Sequence, residues 1–177
     1  DEPRAAATFS PEVHEAAAVL TYLSPCLRFF HQGQFEGMMK RISPHLVRAP
    51  GEPLDGTLHQ FYDGLLAVLR QPAVRDGQWR LLDCAPAWDG NGTSDGFIAW
   101  SWEGQDGERL LISVNYAGTQ GQCYVRLPFP DLAGRTVRLK DLMGPASFDR
   151  GGDDLVSRGL YLDLPPWSYH VFEMTIP

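Results

Sequence analysis

The side chains able to do chemistry in this chain are scattered rather than clustered. Cys26, Cys84 and Cys123 are odd in number and widely spaced, with no C-x-x-C pair. Neither a zinc site nor a disulfide framework is therefore expected, and free thiols point to a reducing, cytoplasmic compartment. His14, His45, His59 and His170 have no ligand-type partner at useful spacing; they are read as surface or packing residues. The run Asp89-Gly90-Asn91-Gly92-Thr93-Ser94-Asp95 opens like a calcium loop, with side-chain oxygens at alternate positions. It lacks the sixth-position glycine and a correctly placed bidentate glutamate, so a connection built on Asx turns is the better reading. No G-x-S-x-G, glycine-rich phosphate loop or H-E-x-x-H occurs. No metal or cofactor is called for.

Charge narrows the field further. The formal net charge is −7 over 177 residues, with no basic block. A phosphate-backbone partner needs clustered Lys and Arg, so no nucleic-acid partner is expected. No apolar run approaches the length of a membrane span, so no membrane partner is expected either.

Two kinds of element must position whatever chemistry exists. After Pro72, short alternating runs recur about every ten residues, at 79–84, 97–102, 110–116, 123–127, 136–142, 160–164 and 169–174. That rhythm predicts an antiparallel β-sandwich or open barrel. Its centre is the hairpin FIAWSWEGQDGERLLISVNY (97–116), each arm with one apolar face, the turn carrying Gly104 and Gly107.

Before Pro72 the pattern is helical. Within the stretch 5–23, Ser10 and Pro11 mark the start of an apolar helix, which Ser24-Pro25 ends. The run CLRFF (26–30) reads as a short strand, and His31-Gln32-Gly33-Gln34 as a turn away from it. A loop over 38–56 leads to an amphipathic helix over 58–69, capped by Asp55 or Thr57 and stopped by Pro72. The expected fold is thus mainly β: a C-terminal sandwich over 73–177, preceded over 1–72 by two helices and a short strand. These leading pieces expose too much apolar surface to form a domain alone.

In that order of elements the chain resembles the C-terminal portion of the alpha-amylase family of glycoside hydrolases. There an eight-fold β/α barrel is followed by an antiparallel β-sandwich. The segment 16–30 resembles the seventh helix and eighth strand, and 58–69 followed by Pro72 resembles the eighth helix and its exit. The stretch 160–174, with Leu-Pro-Pro-Trp before its last strand, resembles the closing strand pair of the sandwich. His31-Gln32-Gly33-Gln34-Phe35-Glu36-Gly37 stands where relatives carry Tyr-Tyr-Gly-Glu-Glu-Ile-Gly; only Gly33 and Gly37 match strictly.

The resemblance implies a truncated barrel remnant over 1–72 and places the nucleophile and acid/base upstream of the first residue. Asp1 matches the aspartate of the family's His-Asp motif, a carboxylate that stabilises the transition state through sugar hydroxyls. In the chain by itself Asp1 is expected to be unordered and inactive. Arg4, His31 and Gln32 would line the substrate cleft, as residues at the C-terminal ends of barrel strands do.

The partner implied is an α-glucan or maltooligosaccharide, bound through the missing barrel. Trp79, Trp88, Trp100, Trp102 and Trp167 could stack on sugar rings. Trp100 and Trp102 share one strand face and are assigned to the core, leaving Trp88 as the surface candidate. The rival reading is a stand-alone carbohydrate-binding or interaction module. A third is an inactive scaffold.

Overall fold

The computed structural model describes residues 3–41, 45, 48 and 51–177. Helix α1 (Ala5–Thr8) is separated from α2 (Pro11–Tyr22) by an extended Ser10. Helix α2 starts where Ser10 and Pro11 mark it, and α1 precedes it as a separate turn because the residue before a proline is pushed out of the helical region. Ser10 occupies the cap position of α2, but its side chain makes no capping bond. Helix α3 (Gly56–Leu69) is capped as expected: Asp55 Oδ1 accepts from the Thr57 and Leu58 amides at 3.1 and 3.0 Å. Pro72 ends that segment and opens a short helix, α4 (Pro72–Asp76), at a position where its missing N–H costs nothing.

Nine strands follow, all paired antiparallel. They are β1 (Gln78–Leu82), β2 (Cys84–Pro86), β3 (Phe97–Glu103), β4 (Arg109–Asn115) and β5 (Gly121–Val125). Then come β6 (Thr136–Asp141), β7 (Ser147–Gly151), helix α5 (Gly152–Ser157), β8 (Leu160–Leu164) and β9 (Tyr169–Thr175). One sheet has the order β1-β3-β4-β9-β6-β7, the other β2-β5-β8. The hairpin β3–β4 pairs Trp102 with Leu110 and Trp100 with Ile112. Of the two turn glycines only Gly107 has a positive φ, at 86°.

The hairpin is buried on both faces, not on one. Trp100, Trp102, Leu110, Ile112 and Val114 pack against Val19, Leu23, Tyr62 and Leu65 of the helical layer. Phe97, Ala99 and Leu111 turn the other way and meet Cys123, Val125, Leu162 and Phe172 inside the sandwich. A sheet covered on both faces carries near-continuous apolar strands, which blurs the alternation. Both indole N–H groups reach one acceptor, the Leu23 carbonyl beyond the end of α2, at 3.0 Å from Trp100 and 2.7 Å from Trp102. That carbonyl is one of the acceptors a helix C-terminus leaves without a partner.

The strand expected over 26–30 does not form. Among the described residues this stretch has no ladder partner, with Leu27 93% and Phe29 71% exposed. An extended segment becomes a strand only when a neighbour supplies donors and acceptors. Strand β7 and helix α5 went unforeseen, because every residue of β7 is exposed and no apolar period marks it. Replacing Trp102 with Phe removes one of the two bonds to Leu23, and should lower the unfolding free energy by about 1–3 kcal/mol in urea titrations.

Candidate functional site

The sequence-level candidates converge on the turn that follows the unpaired segment. Arg4 is half-buried, and its Nη1 donates to the Gln32 carbonyl at 2.6 Å, tying the N-terminal segment to the turn. His31 and Gln32 are exposed. The His31 amide donates to Gln34 Oε1 at 3.0 Å, and the His31 ring meets Phe29 edge-on at 6.2 Å. Asp1 lies outside the described residues.

Two glycines shape this turn. Gly33 and Gly37 have φ of 82° and 70°, and a Cβ at either would press on Met38 or Asp55. Any other residue there would meet both backbone strain and a clash.

Gln34 anchors the turn to the helices and was not singled out by the sequence reading. Its Nε2 donates to Tyr22 Oη at 2.8 Å and Tyr62 Oη at 2.7 Å. The Tyr62 hydroxyl also lies 2.9 Å from His14 Nε2, and Tyr22 Oη donates to the Phe29 carbonyl at 3.3 Å. Since Tyr62 accepts from Gln34, its proton is free to go to His14, which fits a neutral imidazole with its lone pair on Nε2. Burial lowers the His14 pKa, opposed in part by Asp55. Burial also pushes the Tyr62 phenol up to about 12, against the Gln34 hydrogen bond. Phe30 stacks on Tyr22 at 4.2 Å, and Phe35 lies 5.2 Å from Tyr62. No local signal links these partners, which stand 12, 28 and 48 positions apart.

This network orders a loop; it does not make a reaction centre. It offers a buried imidazole, two phenols and an amide, with no pair of carboxylates facing each other across a cleft. Among the described residues no group of three or more His, Cys, Asp or Glu could hold a metal ion, and no helix is long and apolar enough to cross a membrane. In the 89–95 connection Asn91 Oδ1 takes the Thr93 amide at 2.7 Å and the Thr93 hydroxyl at 2.6 Å, the Asx turn expected there. Trp100 and Trp102 are core residues, 1% and 6% exposed, while Trp88 is 58% exposed. His14 and His170 are packing residues, His170 Nδ1 lying 2.6 Å from Asp141 Oδ2.

The fold is similar to part of each of three longer proteins of known structure. A maltogenic alpha-amylase from Thermotoga neapolitana matches all of this chain at a TM-score of 0.71 and 12% identity. A debranching enzyme from Nostoc punctiforme matches 98% of it at 0.62 and 17%, and a putative alpha-N-acetylgalactosaminidase from Bacillus halodurans 95% at 0.55 and 14%. This chain spans only 39%, 32% and 33% of those three proteins. No family model and no curated protein matches the sequence.

The His14 environment has a pH consequence. Its folded pKa lies below the ordinary 6.5, so the unfolded chain binds the proton more readily. The stability it contributes is fully present above 6.5 and is lost as pH falls through the lowered folded value. Urea midpoints should therefore decline on acidification below about 6.5. That component should vanish in His14→Gln.

Proposed function

We propose that this chain is the C-terminal part of an alpha-amylase-family enzyme that acts on α-glucosidic linkages by a retaining mechanism. Residues 1–72 would be the end of the catalytic barrel and 73–177 the C-terminal sandwich, which stabilises the barrel by covering its last helices. The observation that carries this reading is the stretch 26–30: without a ladder, and presenting Leu27 and Phe29 to solvent while Phe30 packs on Tyr22. Two large apolar side chains bare on an unpaired backbone describe a barrel strand lacking its neighbours. The likeness to a maltogenic amylase and a debranching enzyme, of which this chain spans 39% and 32%, supports the same reading.

In that enzyme Asp1 would be the transition-state-stabilising carboxylate, and Arg4, His31 and Gln32 would lie at the rim of the glucan cleft. Arg4 would act through the backbone, since its guanidinium holds the Gln32 carbonyl and so sets where the turn sits. The nucleophile and acid/base come from upstream, so this chain alone turns nothing over. Its three thiols are free, which supports a reducing, cytoplasmic setting.

Two measurements test the proposal. The purified 177-residue chain should release no sugar from maltoheptaose, whereas a polypeptide extended upstream through a full barrel should. Phe29→Asp should change the stability of the 177-residue chain by no more than about 0.5 kcal/mol, since it is a surface substitution there. In the extended polypeptide the same change should lower the melting temperature and activity together. Equal effects in both would sink the barrel reading.

A further inference from the structure

Two of the three thiols meet in the fold, although nothing in their spacing pairs them. Strand β2 lies at the edge of the three-stranded sheet and pairs with β5, with Cys84 opposite Val125 and Pro86 opposite Cys123. Residues opposite each other on a ladder point to the same side of the sheet. Cys84 therefore turns to the face that Val125 and Cys123 occupy. That face is the sandwich interior, where Cys123 and Val125 are fully buried and Cys84 packs against the same cluster. Cys84 and Cys123 are thus diagonal neighbours on one inner face.

The pair is unequal in exposure and in acidity. Cys123 is buried and Cys84 half-buried, while Cys26 is exposed and donates to the Thr21 carbonyl at 3.1 Å. By hydrogen bonding, the Cys123 thiol holds the Cys84 thiol below its ordinary pKa; the Ala99 amide helps, while burial and the Asp83 carboxylate oppose. The same contact, together with burial, pushes the Cys123 thiol up. The thiolate is the reactive form of cysteine, so Cys84 attacks an oxidant and Cys123 waits.

The backbone allows the second sulfur to follow. An undistorted ladder sets diagonal Cα atoms about 7–8 Å apart, at the outer limit of a disulfide's span. Strand β2 can close that gap. It is three residues long, it has one strand neighbour among the described residues, and Pro86 has no N–H to give the ladder.

We propose that Cys84 and Cys123 form a site of reversible oxidation, with a small hydroperoxide as the oxidant and Cys84 as the thiol it meets first. The Cys84 thiolate attacks one peroxide oxygen and the O–O bond breaks. Sulfur is oxidised to a sulfenic acid, and the departing oxygen leaves as water after taking a proton. The Cys123 sulfur then attacks the Cys84 sulfur. The S–S bond forms, the S–O bond breaks, and the hydroxyl leaves as a second water with the Cys123 proton. Two thiols and one peroxide thus give one disulfide and two waters. A dithiol reductant restores the pair. The site is independent of the enzyme reading above.

The test adds hydrogen peroxide to the folded 177-residue chain, alkylates the remaining thiols in urea and reads the peptides by mass spectrometry. A linked Cys84–Cys123 peptide is expected as the main product, lost on treatment with dithiothreitol, with Cys26 outside it. Cys84→Ser should slow oxidation of Cys123 at least about tenfold, because the remaining thiol is buried and scarcely ionised. Cys123→Ala should leave Cys84 as a sulfenic acid that dimedone captures. Should that variant fail to fold, the unsubstituted chain and Cys84→Ser decide the matter. The proposal is overturned if Cys84 and Cys123 stay unlinked while Cys26 is oxidised, or if Cys26 is a partner in the main linked product. Linkage that requires urea before peroxide overturns it too, as does Cys123 reacting equally fast in Cys84→Ser.

Discussion

Two indole N–H groups converge on the carbonyl of Leu23, and the arrangement of layers follows from that. Trp100 and Trp102 stand two residues apart on β3, so their side chains share a face. The acceptor they share lies just beyond α2, where the helix can no longer satisfy its own carbonyls. Buried indole needs a partner and a helix end needs donors, so each demand answers the other. The junction fixes α2 across the middle of the six-stranded sheet, and α3 then packs beside it through Phe61, Tyr62 and Leu65.

That placement gives the hairpin its two-sided burial. One face of β3 and β4 closes the helical core and the other closes the sandwich. The two cores are therefore not separable at the sheet, and residues on both sides of Pro72 contribute to the first of them. The helical segment is therefore held by side chains of the sheet.

The turn at 31–37 shows what an anchored loop requires. Gly33 and Gly37 allow the left-handed bends, and Gln34 bridges two tyrosines on different helices. The glycines were visible as motif positions. The Gln34 bridge was not, because a carboxamide in a polar turn has no signature of its own until the helices bring Tyr22 and Tyr62 to it. Likewise the apolar run 26–30 had the composition of a strand, but a ladder is a property of two chains of backbone, and among the described residues no second one pairs with it.

By itself the sequence determined what depends on neighbours along the chain. The ten-residue rhythm of the strands, the Asp55 cap, the Asn91 turn and the breaks at prolines are local steric and hydrogen-bonding facts, legible from adjacent residues. Only the tertiary structure decided which faces are covered and which polar groups meet. The double burial of β3 and β4, the His14–Tyr62–Gln34 relay and the placing of Cys84 beside Cys123 all arise from contacts between distant segments. β7 escaped because an edge strand exposed along its whole length leaves no apolar period to read.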